Sequence, residues 1–253
     1  MLTAERRRRL LNIITGVGAA RTTELAAALG VSDVTIRADL TDLERQGQVR
    51  RTHGGAVATT QGELAANFAT RVQLNASAKQ RIARAATALV GPSQTIIVDG
   101  GTTMFAFAQA MSPIPDLTIF THGINVAQQL ASLDGAEVHV LGGVISTANM
   151  ETIGGPRDDS LNNVIAHHAF LGAGGIDADL DVTESSLALV MSKLNMMRAA
   201  RRKVLLADSS KWTVQTRAKA MPITAFDLVI TDSDLPEHTQ TRIRDLGVSL
   251  QIV

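Results

Sequence analysis

The amino-acid sequence predicts an α/β protein, in which an N-terminal winged helix-turn-helix precedes a larger α/β domain with a mostly parallel sheet. Before residue 48, apolar residues recur at helical spacing in three short segments, and a glycine follows each segment. From residue 95 onward, short β-branched runs alternate with helical patterns. This alternation is typical of a parallel sheet covered on both faces.

Composition narrows the class of protein. The chain has 253 residues with 45% hydrophobic content, enough to form a core, and it contains no cysteine. Disulfides and thiolate metal sites are therefore excluded, and we expect a cytoplasmic protein. No window approaches the about 18 apolar residues that a membrane-spanning helix needs. The basic N-terminus precedes an apolar stretch that is too short for a signal peptide.

Charge is distributed unevenly along the chain. The formal net charge is zero, but residues 1–57 contain nine arginines against six acidic residues. This segment therefore carries a net charge of +3, and the remainder carries −3. The small basic end is the part suited to a polyanionic partner.

Each helix of the N-terminal segment has its own signals. The first is predicted after Thr3 and before Gly16 and Gly18, from the apolar residues Leu10, Leu11, Ile13 and Ile14. The second follows a cap at Thr22 or Thr23 and ends at Gly30. Ser32 is predicted to cap the third, whose apolar face carries Ile36, Leu40 and Leu43. The tight Gly-Val-Ser turn makes the second and third helices a helix-turn-helix.

The segment QVRRTHGGAV, residues 48–57, is short, alternating and rich in glycine, as a small β-wing would be. A helix-turn-helix with a wing predicts binding to duplex DNA, with the third helix in the major groove. Arg37 is the best candidate to read a base, because a guanidinium can pair with both acceptors of a guanine edge. The predicted DNA-contacting residues are Ser32, Asp33, Thr35, Arg37, Arg50, Arg51 and His53.

Two alternatives stay open for this segment. The outward surface could be a solvated face of a three-helix bundle that binds nothing. The run Arg6–Arg9 could contact phosphates, although a charge run at a chain start is more often only solvated.

The chain is predicted to divide into three parts. Residues 1–57 form the DNA-binding domain, residues 58–75 form a linker with one short helix near 63–68, and residues 76–253 form the α/β domain. Ser77 is predicted to cap the first helix of that domain.

Several predicted strands end in glycine or hydroxyl residues, and the ligand crevice of an open α/β sheet lies at the carboxyl ends of its strands. The turn DGGTTMFAF would aim backbone N–H groups and a helix dipole at an anion. We therefore predict a site for a small anionic molecule. Its predicted residues are Asp99, Gly100, Gly101, Thr102, Thr103, Thr121, His122, Gly142, Gly143, Gly174 and Lys211.

Nucleotide and metal sites are not expected. The chain contains no G-x-x-x-x-G-K-[ST] motif, and no strand leads into G-x-G-x-x-G. His167 and His168 are adjacent on a predicted strand and would point to opposite faces, so they cannot share one ion. No cofactor is predicted.

The segment LAAALGVSDVTIRADLTDLERQGQVRRTHGGAV, residues 25–57, resembles the winged helix-turn-helix of the DeoR family of bacterial regulators. That family's recognition stretch reads V-S-x-x-T-I-R-R-D-L, and the chain matches it from Val31 to Leu40. One position departs from the pattern, because Ala38 replaces the second arginine. The operator preference of the family therefore cannot be transferred to this chain.

The second domain resembles the sugar-phosphate sensor of DeoR regulators, itself similar to the ribose-5-phosphate isomerase fold. The matching motifs are DGGTT at 99–103, LGG at 141–143, LGAGGID at 171–177 and LADSSKW at 206–212. The resemblance implies that Thr102, Thr103 and Lys211 bind phosphate and that Asp99 faces sugar hydroxyls. His122 stands where the family usually has asparagine.

These features predict a transcriptional regulator, a repressor of a carbohydrate operon, that binds operator DNA as a homodimer or homotetramer and responds to a phosphorylated sugar. Glu184 and Lys193 are further candidates to reach this effector.

The main alternative is a sugar-phosphate isomerase, which needs a carboxylate base. The isomerase stretch D-G-A-D-E reads G-A-G-G-I-D here, leaving Asp177 or Glu184 for that role. A DNA-binding architectural protein with an inert second domain would not need the glycine and threonine loops.

Overall fold

The computed structural model describes residues 3–17, 19–45, 48–52, 54–58, 68–147, 149–154 and 160–253. The chain forms two compact units, Met1–Leu74 and Asn75–Val253, and each is described by itself. Among the described residues, no helix is long and apolar enough to cross a membrane.

The first unit is a three-helix domain with a small antiparallel sheet in the order β1-β3-β2. In chain order its elements are α1 Thr3–Val17, β1 Ala19–Arg21, α2 Thr22–Leu29, α3 Asp33–Arg45, β2 Val49–Thr52 and β3 Gly55–Ala58. The predicted apolar face of α3, with Ile36, Leu40 and Leu43, is buried against Leu10, Ile14 and Leu25. The predicted winged helix-turn-helix is therefore confirmed.

The ends of the helices in this unit agree with the prediction only in part. Gly30 has φ +65° and ends α2, as predicted, because glycine has no Cβ atom to oppose the left-handed conformation. Helix α1 continues through Gly16 to Val17. Arg21, rather than a threonine, is the N-cap residue of α2. Strand β1, which was not predicted, pairs with β3.

The segment that leads into the second unit differs from the prediction at one helix cap. Helix α4 spans Phe68–Gln73, and most of the helix predicted near 63–68 lies outside the described residues. Helix α5 spans Ala76–Thr87, and its N-cap residue is Asn75 at φ +51°. The prediction that Ser77 caps this helix is wrong, because Ser77 lies inside the first turn. Asparagine adopts the left-handed conformation more readily than most residues.

A seven-stranded sheet organises the second unit, and each pair of neighbouring strands is parallel. The remaining helices are α6 Thr102–Ala110, α7 Ile124–Leu130, α8 Leu187–Arg198 and α9 Glu237–Asp245. The strands in chain order are β4 Thr95–Val98, β5 Leu117–Thr121, β6 Ala136–Val140, β7 Val144–Ser146, β8 Glu151–Ile153, β9 Ala166–Leu171, β10 Gly175–Ile176, β11 Asp181–Glu184, β12 Ala200–Leu206, β13 Ala218–Pro222, β14 Leu228–Thr231 and β15 Ser249–Ile252. The sheet order is β15-β14-β12-β9-β4-β5-β6.

Both faces of this sheet are buried, which confirms the predicted α/β class. On one face, Ile96 and Val98 pack with Phe107 of α6 in one apolar cluster. On the other face, Ile97 packs with Met196 of α8 in a second cluster. Successive side chains of β4 therefore enter different cores, as the period of a strand requires.

Two small sheets that were not predicted lie outside the main one. Strands β7 and β8 form an antiparallel hairpin, and β10, β11 and β13 form an antiparallel sheet. These strands have two to five residues each, too few to show an alternating pattern in the sequence. Strands β8 and β11 carry Glu151 and Glu184, which contribute to the site described below.

Candidate functional site

The outward surface of α3 begins at a capped turn. Ser32 Oγ accepts a hydrogen bond from the Thr35 backbone N–H at 3.3 Å and forms another with Thr35 Oγ1 at 2.9 Å. The predicted cap at Ser32 is therefore confirmed. Asp33 begins the helix and suits its positive N-terminal end.

Arg37 and Arg51 differ in how they are held. Arg37 is exposed, and within the part of the chain that the structure describes its guanidinium has no protein partner. The Arg51 guanidinium donates to Thr41 Oγ1 at 3.1 Å, and the Arg51 backbone N–H donates to Glu44 Oε1 at 2.9 Å. The wing strand β2 is thereby fixed to α3. Arg50 is also exposed on β2, whereas His53 lies outside the described residues.

Arg6 and Arg7, near the start of α1, pair with acidic residues of α3. Asp39, which is 1% exposed, accepts hydrogen bonds from Arg6 Nε at 2.6 Å and Arg7 Nε at 2.9 Å. Arg7 also pairs with Asp42, and Arg9 pairs with Glu5 at 2.8 Å. Burial would raise the pKa of Asp39, but the two arginines outweigh it and lower this pKa. Arg6 and Arg7 therefore hold the recognition helix against α1, and a phosphate contact of the run Arg6–Arg9 stays a prediction.

In the second unit, Asp99 lies at the carboxyl end of β4 and is 3% exposed. Its Oδ1 accepts from Gly100 N at 2.8 Å and bonds His122 Nε2 at 2.7 Å. Its Oδ2 accepts from Gly172 N at 2.9 Å and from Lys193 Nζ. Burial would raise the pKa of Asp99, but Lys193 and His122 hold this pKa well below its ordinary value. Asp99 is thus a carboxylate that joins the loops after β4, β5 and β9 to helix α8.

Lys193 is the buried cation of this cluster. Its Nζ contacts Asp99, Glu184 Oε1 at 3.2 Å and the carbonyl oxygen of Gly172 at 2.9 Å. Burial would lower the pKa of Lys193, but the two carboxylates raise it, so the ammonium stays charged. Glu184 Oε1 also accepts from Gly174 N at 3.0 Å, and the glycine loop 172–174 is therefore held at both ends.

His122 and Glu151 complete the cluster. His122 is buried, and its Nε2 lies 4.0 Å from Glu151 Oε2, while its Nδ1 has no hydrogen-bond partner among the described residues. Burial would lower the pKa of His122, but the hydrogen bond to Asp99 and the charge of Glu151 raise it. Burial raises the pKa of Glu151. A Cβ atom at Gly100 would overlap Glu151 Oε2, which explains the glycine at that position.

The loop Gly101-Thr102-Thr103, predicted to bind an anion, lies at the N-terminus of α6. Gly101 has φ +93° and is the N-cap residue of α6, so a residue with a Cβ atom would be strained there. Among the described residues, and apart from Gly101 and its two chain neighbours, no atom lies within 4 Å of the position that this Cβ atom would occupy. Thr102 and Thr103 form the first turn of the helix, whose positive end and backbone N–H groups favour an anion.

The structure brings part of the predicted ligand set together. Asp99, Gly100, His122 and Gly174 belong to one network through Lys193 and Glu184, and Thr121 Oγ1 accepts from Gly123 N at 3.1 Å beside it. Lys211 lies in the short 3-10 turn Ser209–Lys211 after β12, where Ser209 contacts Asp232 and Ser210 contacts Asp208. Gly142 and Gly143 are exposed after β6.

Glu151 is the residue of this cluster that sequence reasoning missed. It follows no recognisable strand-to-helix turn, and the hairpin that carries it pairs through an isolated bridge between Gly123 and Glu151. The segment NMETI gave no signal that could place a carboxylate beside Asp99, because this placement depends on a contact between distant strands.

A cavity of about 350 Å³ lies near the Ser209–Lys211 turn. Its lining includes Asn75, Ser209, Trp212 and His238. Asn75 Nδ2 donates to Asp208 Oδ1 at 2.8 Å, which connects the first residue of the second unit to this turn.

A winged helix-turn-helix joined to an α/β unit, with a glycine-threonine loop at a helix N-terminus, is typical of a DNA-binding regulator with a separate sensor domain. The family model described as the DeoR-like helix-turn-helix domain matches residues 6–62, and the model described as the DeoR C terminal sensor domain matches residues 74–233. The chain belongs to the DeoR family of transcriptional regulators. The resemblance found in the sequence is confirmed.

Relatives match over nearly the whole chain. A protein of Escherichia coli O157:H7, named as a candidate transcriptional repressor of the aga operon, is 31% identical over 99% of this chain and 94% of its own. The L-fucose operon activator of Haemophilus influenzae is 32% identical over 91% of this chain and 92% of its own. The solved ribose 5 phosphate isomerase A from Neisseria gonorrhoeae has a TM-score of 0.40 at 19% identity, covering 59% of this chain and 56% of that one.

Proposed function

We propose that this regulator represses a carbohydrate-utilisation operon in the cytoplasm and that a phosphorylated sugar, bound by the second unit, controls its affinity for operator DNA. The homodimer or homotetramer would bind two half-sites, because symmetric pairing of two recognition helices multiplies affinity. The loop Gly101-Thr102-Thr103 at the N-terminus of α6 is the observation that carries the effector half of this proposal.

The charged cluster beside this loop supports a binding site with fixed loops. Asp99 and Glu184 accept hydrogen bonds from the backbone N–H groups of Gly172 and Gly174, and Lys193 pairs with both carboxylates. The loops at the carboxyl edge of the sheet are therefore held in place without a ligand. An arranged site loses less conformational entropy on binding. Thr102 and Thr103 are the hydroxyl donors for the phosphate, and Lys211 is the proposed cation.

The same cluster favours binding over catalysis. An isomerase needs a carboxylate that is available to accept a proton. Asp99 and Glu184 both pair with Lys193, and Asp177 Oδ1 accepts from the backbone N–H groups of Asp179 and Asp181. Asp177 and Glu184, the two carboxylates that the sequence left for the role of base, are thus engaged in holding loops. The names of the relatives, a candidate repressor and an activator of sugar operons, also fit a regulator.

Calorimetric titration with a panel of pentose and hexose phosphates tests the effector site. Thr102→Val removes a hydroxyl and Lys211→Ala removes a charge, and charge-assisted contacts to phosphate are commonly worth about 1.5–3 kcal/mol. We expect each variant to bind the effector more weakly, by about that free energy. Thr224→Val, at an exposed threonine of another turn, is the control. Parental affinity in both site variants would place the phosphate elsewhere.

Selection of duplexes from a random-sequence library tests the DNA-binding half of the proposal. The parent should enrich a sequence with two related half-sites about one helical turn apart. A library that stays random after several rounds would reject operator recognition, whatever the effector titration shows.

A further inference from the structure

Helix α3 exposes an apolar side chain on the face that the proposed function directs at DNA. Val34 is 77% exposed, whereas Ile36 and Leu40 of the same helix are buried. Val34 lies in the first turn of the helix, where recognition helices contact base edges. An apolar group in this position would lie against base edges when α3 enters the major groove.

Helical spacing places Val34 together with Ala38. Residues four apart lie on one face of a helix, so these two side chains form a continuous apolar strip, which we name the Val34–Ala38 strip. Both residues are exposed, and the strip lies opposite the buried face of Ile36, Leu40 and Leu43. The strip therefore occupies the centre of the outward surface, not its edge.

Two cations lie next to the strip. Arg37 is exposed beside it and has no protein partner within the described residues, and the Arg51 guanidinium is held on Thr41, one turn beyond Ala38. An apolar strip with cations next to it is complementary to a groove that has anionic walls and apolar groups on its floor. The major groove of B-DNA has this pattern wherever a thymine presents its C5-methyl group between two rows of phosphates.

We infer that Val34 and Ala38 read thymine by packing against C5-methyl groups, next to the base that Arg37 contacts. This inference rests on the proposed DNA-binding function and names the bases that its recognition helix selects. Alanine at position 38 contributes to the fit, because its short side chain lets the helix backbone approach the methyl groups. Apolar contact from an alanine or a similar small group is a known way to recognise thymine.

A second copy of the chain or another protein would fit this strip less well. Stable protein interfaces bury about 800 Å² on each partner and have a desolvated apolar centre. The strip consists of one valine and one alanine, and exposed arginines and acidic residues surround it. Its size matches one or two methyl groups.

The test uses the duplex selected from the random library and its uracil analogues. Replacing one thymine by deoxyuridine removes only the C5-methyl group and preserves base pairing. We expect thymine at fixed positions in each half-site, and we expect each uracil under the strip to weaken binding about fourfold, as the burial of one methyl-sized group predicts.

Val34→Ala supplies the second arm of a double-mutant cycle. Alanine is the best helix former, so α3 should remain folded in this variant. The variant should bind the thymine duplex about four- to tenfold more weakly than the parent and should lose its sensitivity to uracil at one position. Val144→Ala, at a valine that is 74% exposed in the β7–β8 hairpin, is the control and should bind both duplexes as the parent does.

Three results would overturn the inference, and the first two are equal affinity of the parent for thymine and uracil duplexes and an equal uracil penalty in the parent and in Val34→Ala. A change of oligomeric state in Val34→Ala without any uracil effect would assign the strip to a second copy and would also overturn it. These outcomes are distinct from failure of the proposed function, in which no sequence is enriched and Arg37→Ala has no effect on binding.

Discussion

Asp99 accepts hydrogen bonds from four donors, and a carboxylate has about four lone-pair sites in total. Because the number of donors equals the number of lone-pair sites, the role of Asp99 in the sensor unit follows from these four contacts. Asp99 has no acceptor site left for a ligand while the cluster is intact, so it acts by holding Gly172 and His122 in place. The contact to sugar hydroxyls, which the family resemblance implies for Asp99, stays a prediction that a bound structure would test.

His122, at the position where the family usually has asparagine, should make the sensor unit sensitive to pH. Its pKa is raised in the folded protein, so its stabilising contribution is complete below the ordinary histidine pKa of about 6.5 and is lost as pH rises through the folded pKa. His122→Asn removes this contribution. The difference in unfolding free energy between parent and variant should therefore be largest near pH 6 and should shrink at higher pH.

Denaturant unfolding followed by fluorescence measures this difference, because Trp212 is the single tryptophan of the chain and is buried in the second unit. His238→Asn, at an exposed histidine, is the matched control. A constant difference between parent and His122→Asn from pH 6 to pH 9 would show that the His122–Asp99 contact does not depend on a proton.

Arg37→Ala should weaken binding to the selected operator by about 1–3 kcal/mol and binding to random duplexes much less, because a bidentate contact to guanine discriminates between bases. Arg45→Ala removes another exposed cation of α3, one that pairs with Asp42 at 3.2 Å. This second variant should show similar, smaller losses on both kinds of DNA. Fluorescence anisotropy at one salt concentration compares them. Equal losses on operator and random DNA for Arg37→Ala would remove its base-reading role.

At the scale of elements, the buried ion pairs between α1 and α3 hold the recognition helix. Asp39→Asn keeps the shape of the side chain but removes its charge, so Arg6 and Arg7 lose their shared partner. We expect the first unit to lose about 1.5–3 kcal/mol of stability at neutral pH, the usual range for hydrogen bonds to charged groups. The pKa of Asp39 is lowered on folding, so this loss should disappear as pH falls through the folded pKa.

Hydrogen exchange of the α3 amides measures this local stability, since fluorescence of Trp212 reports the other unit. Asp42→Asn is the control, because its carboxylate is 29% exposed and its loss should cost less. Unchanged protection of α3 in Asp39→Asn would mean that the apolar face with Ile36 and Leu40 holds the helix without help from the ion pairs.

The elements that were predicted correctly have strong local patterns. Helices α2 and α3 have a left-handed glycine and a serine cap between them, and β4 has a continuous β-branched run. The Asp99 cluster was predicted only in part, because its members come together through the strand order β9-β4-β5. That order places Gly172 and His122 on either side of Asp99. Sequence spacing contains no information about it, since Asp99 and Lys193 are 94 residues apart.

At the scale of the whole molecule, an effector must act on a DNA surface that belongs to a different unit from the sensor loops. A ligand can shift operator affinity only as far as it binds two states of the protein differently. Asn75 is a candidate to transmit the effect of the ligand from the second unit to the DNA-binding unit. It is the first residue of the second unit, and its side chain donates to Asp208 in the LADSSKW motif. Its hydrogen bond spans 133 residues of sequence.

Asn75→Gly should therefore reduce the coupling between effector and operator without abolishing either binding event. Glycine keeps the left-handed backbone of residue 75 at little cost and deletes only the side-chain amide. Typical couplings of about 1–3 kcal/mol change affinity roughly 5–150-fold, and we expect this factor to fall toward one in the variant. Asp116→Gly, at another exposed residue with φ +55°, is the matched control and should keep the parental factor.

The coupling factor is measured in two ways. One is the ratio of operator affinities with and without sugar phosphate, and the other is the ratio of sugar-phosphate affinities with and without operator. Linkage requires the two ratios to agree. A parental factor in Asn75→Gly would exclude this hydrogen bond from the coupling, and a factor of one in the parent itself would reject the proposed effector control.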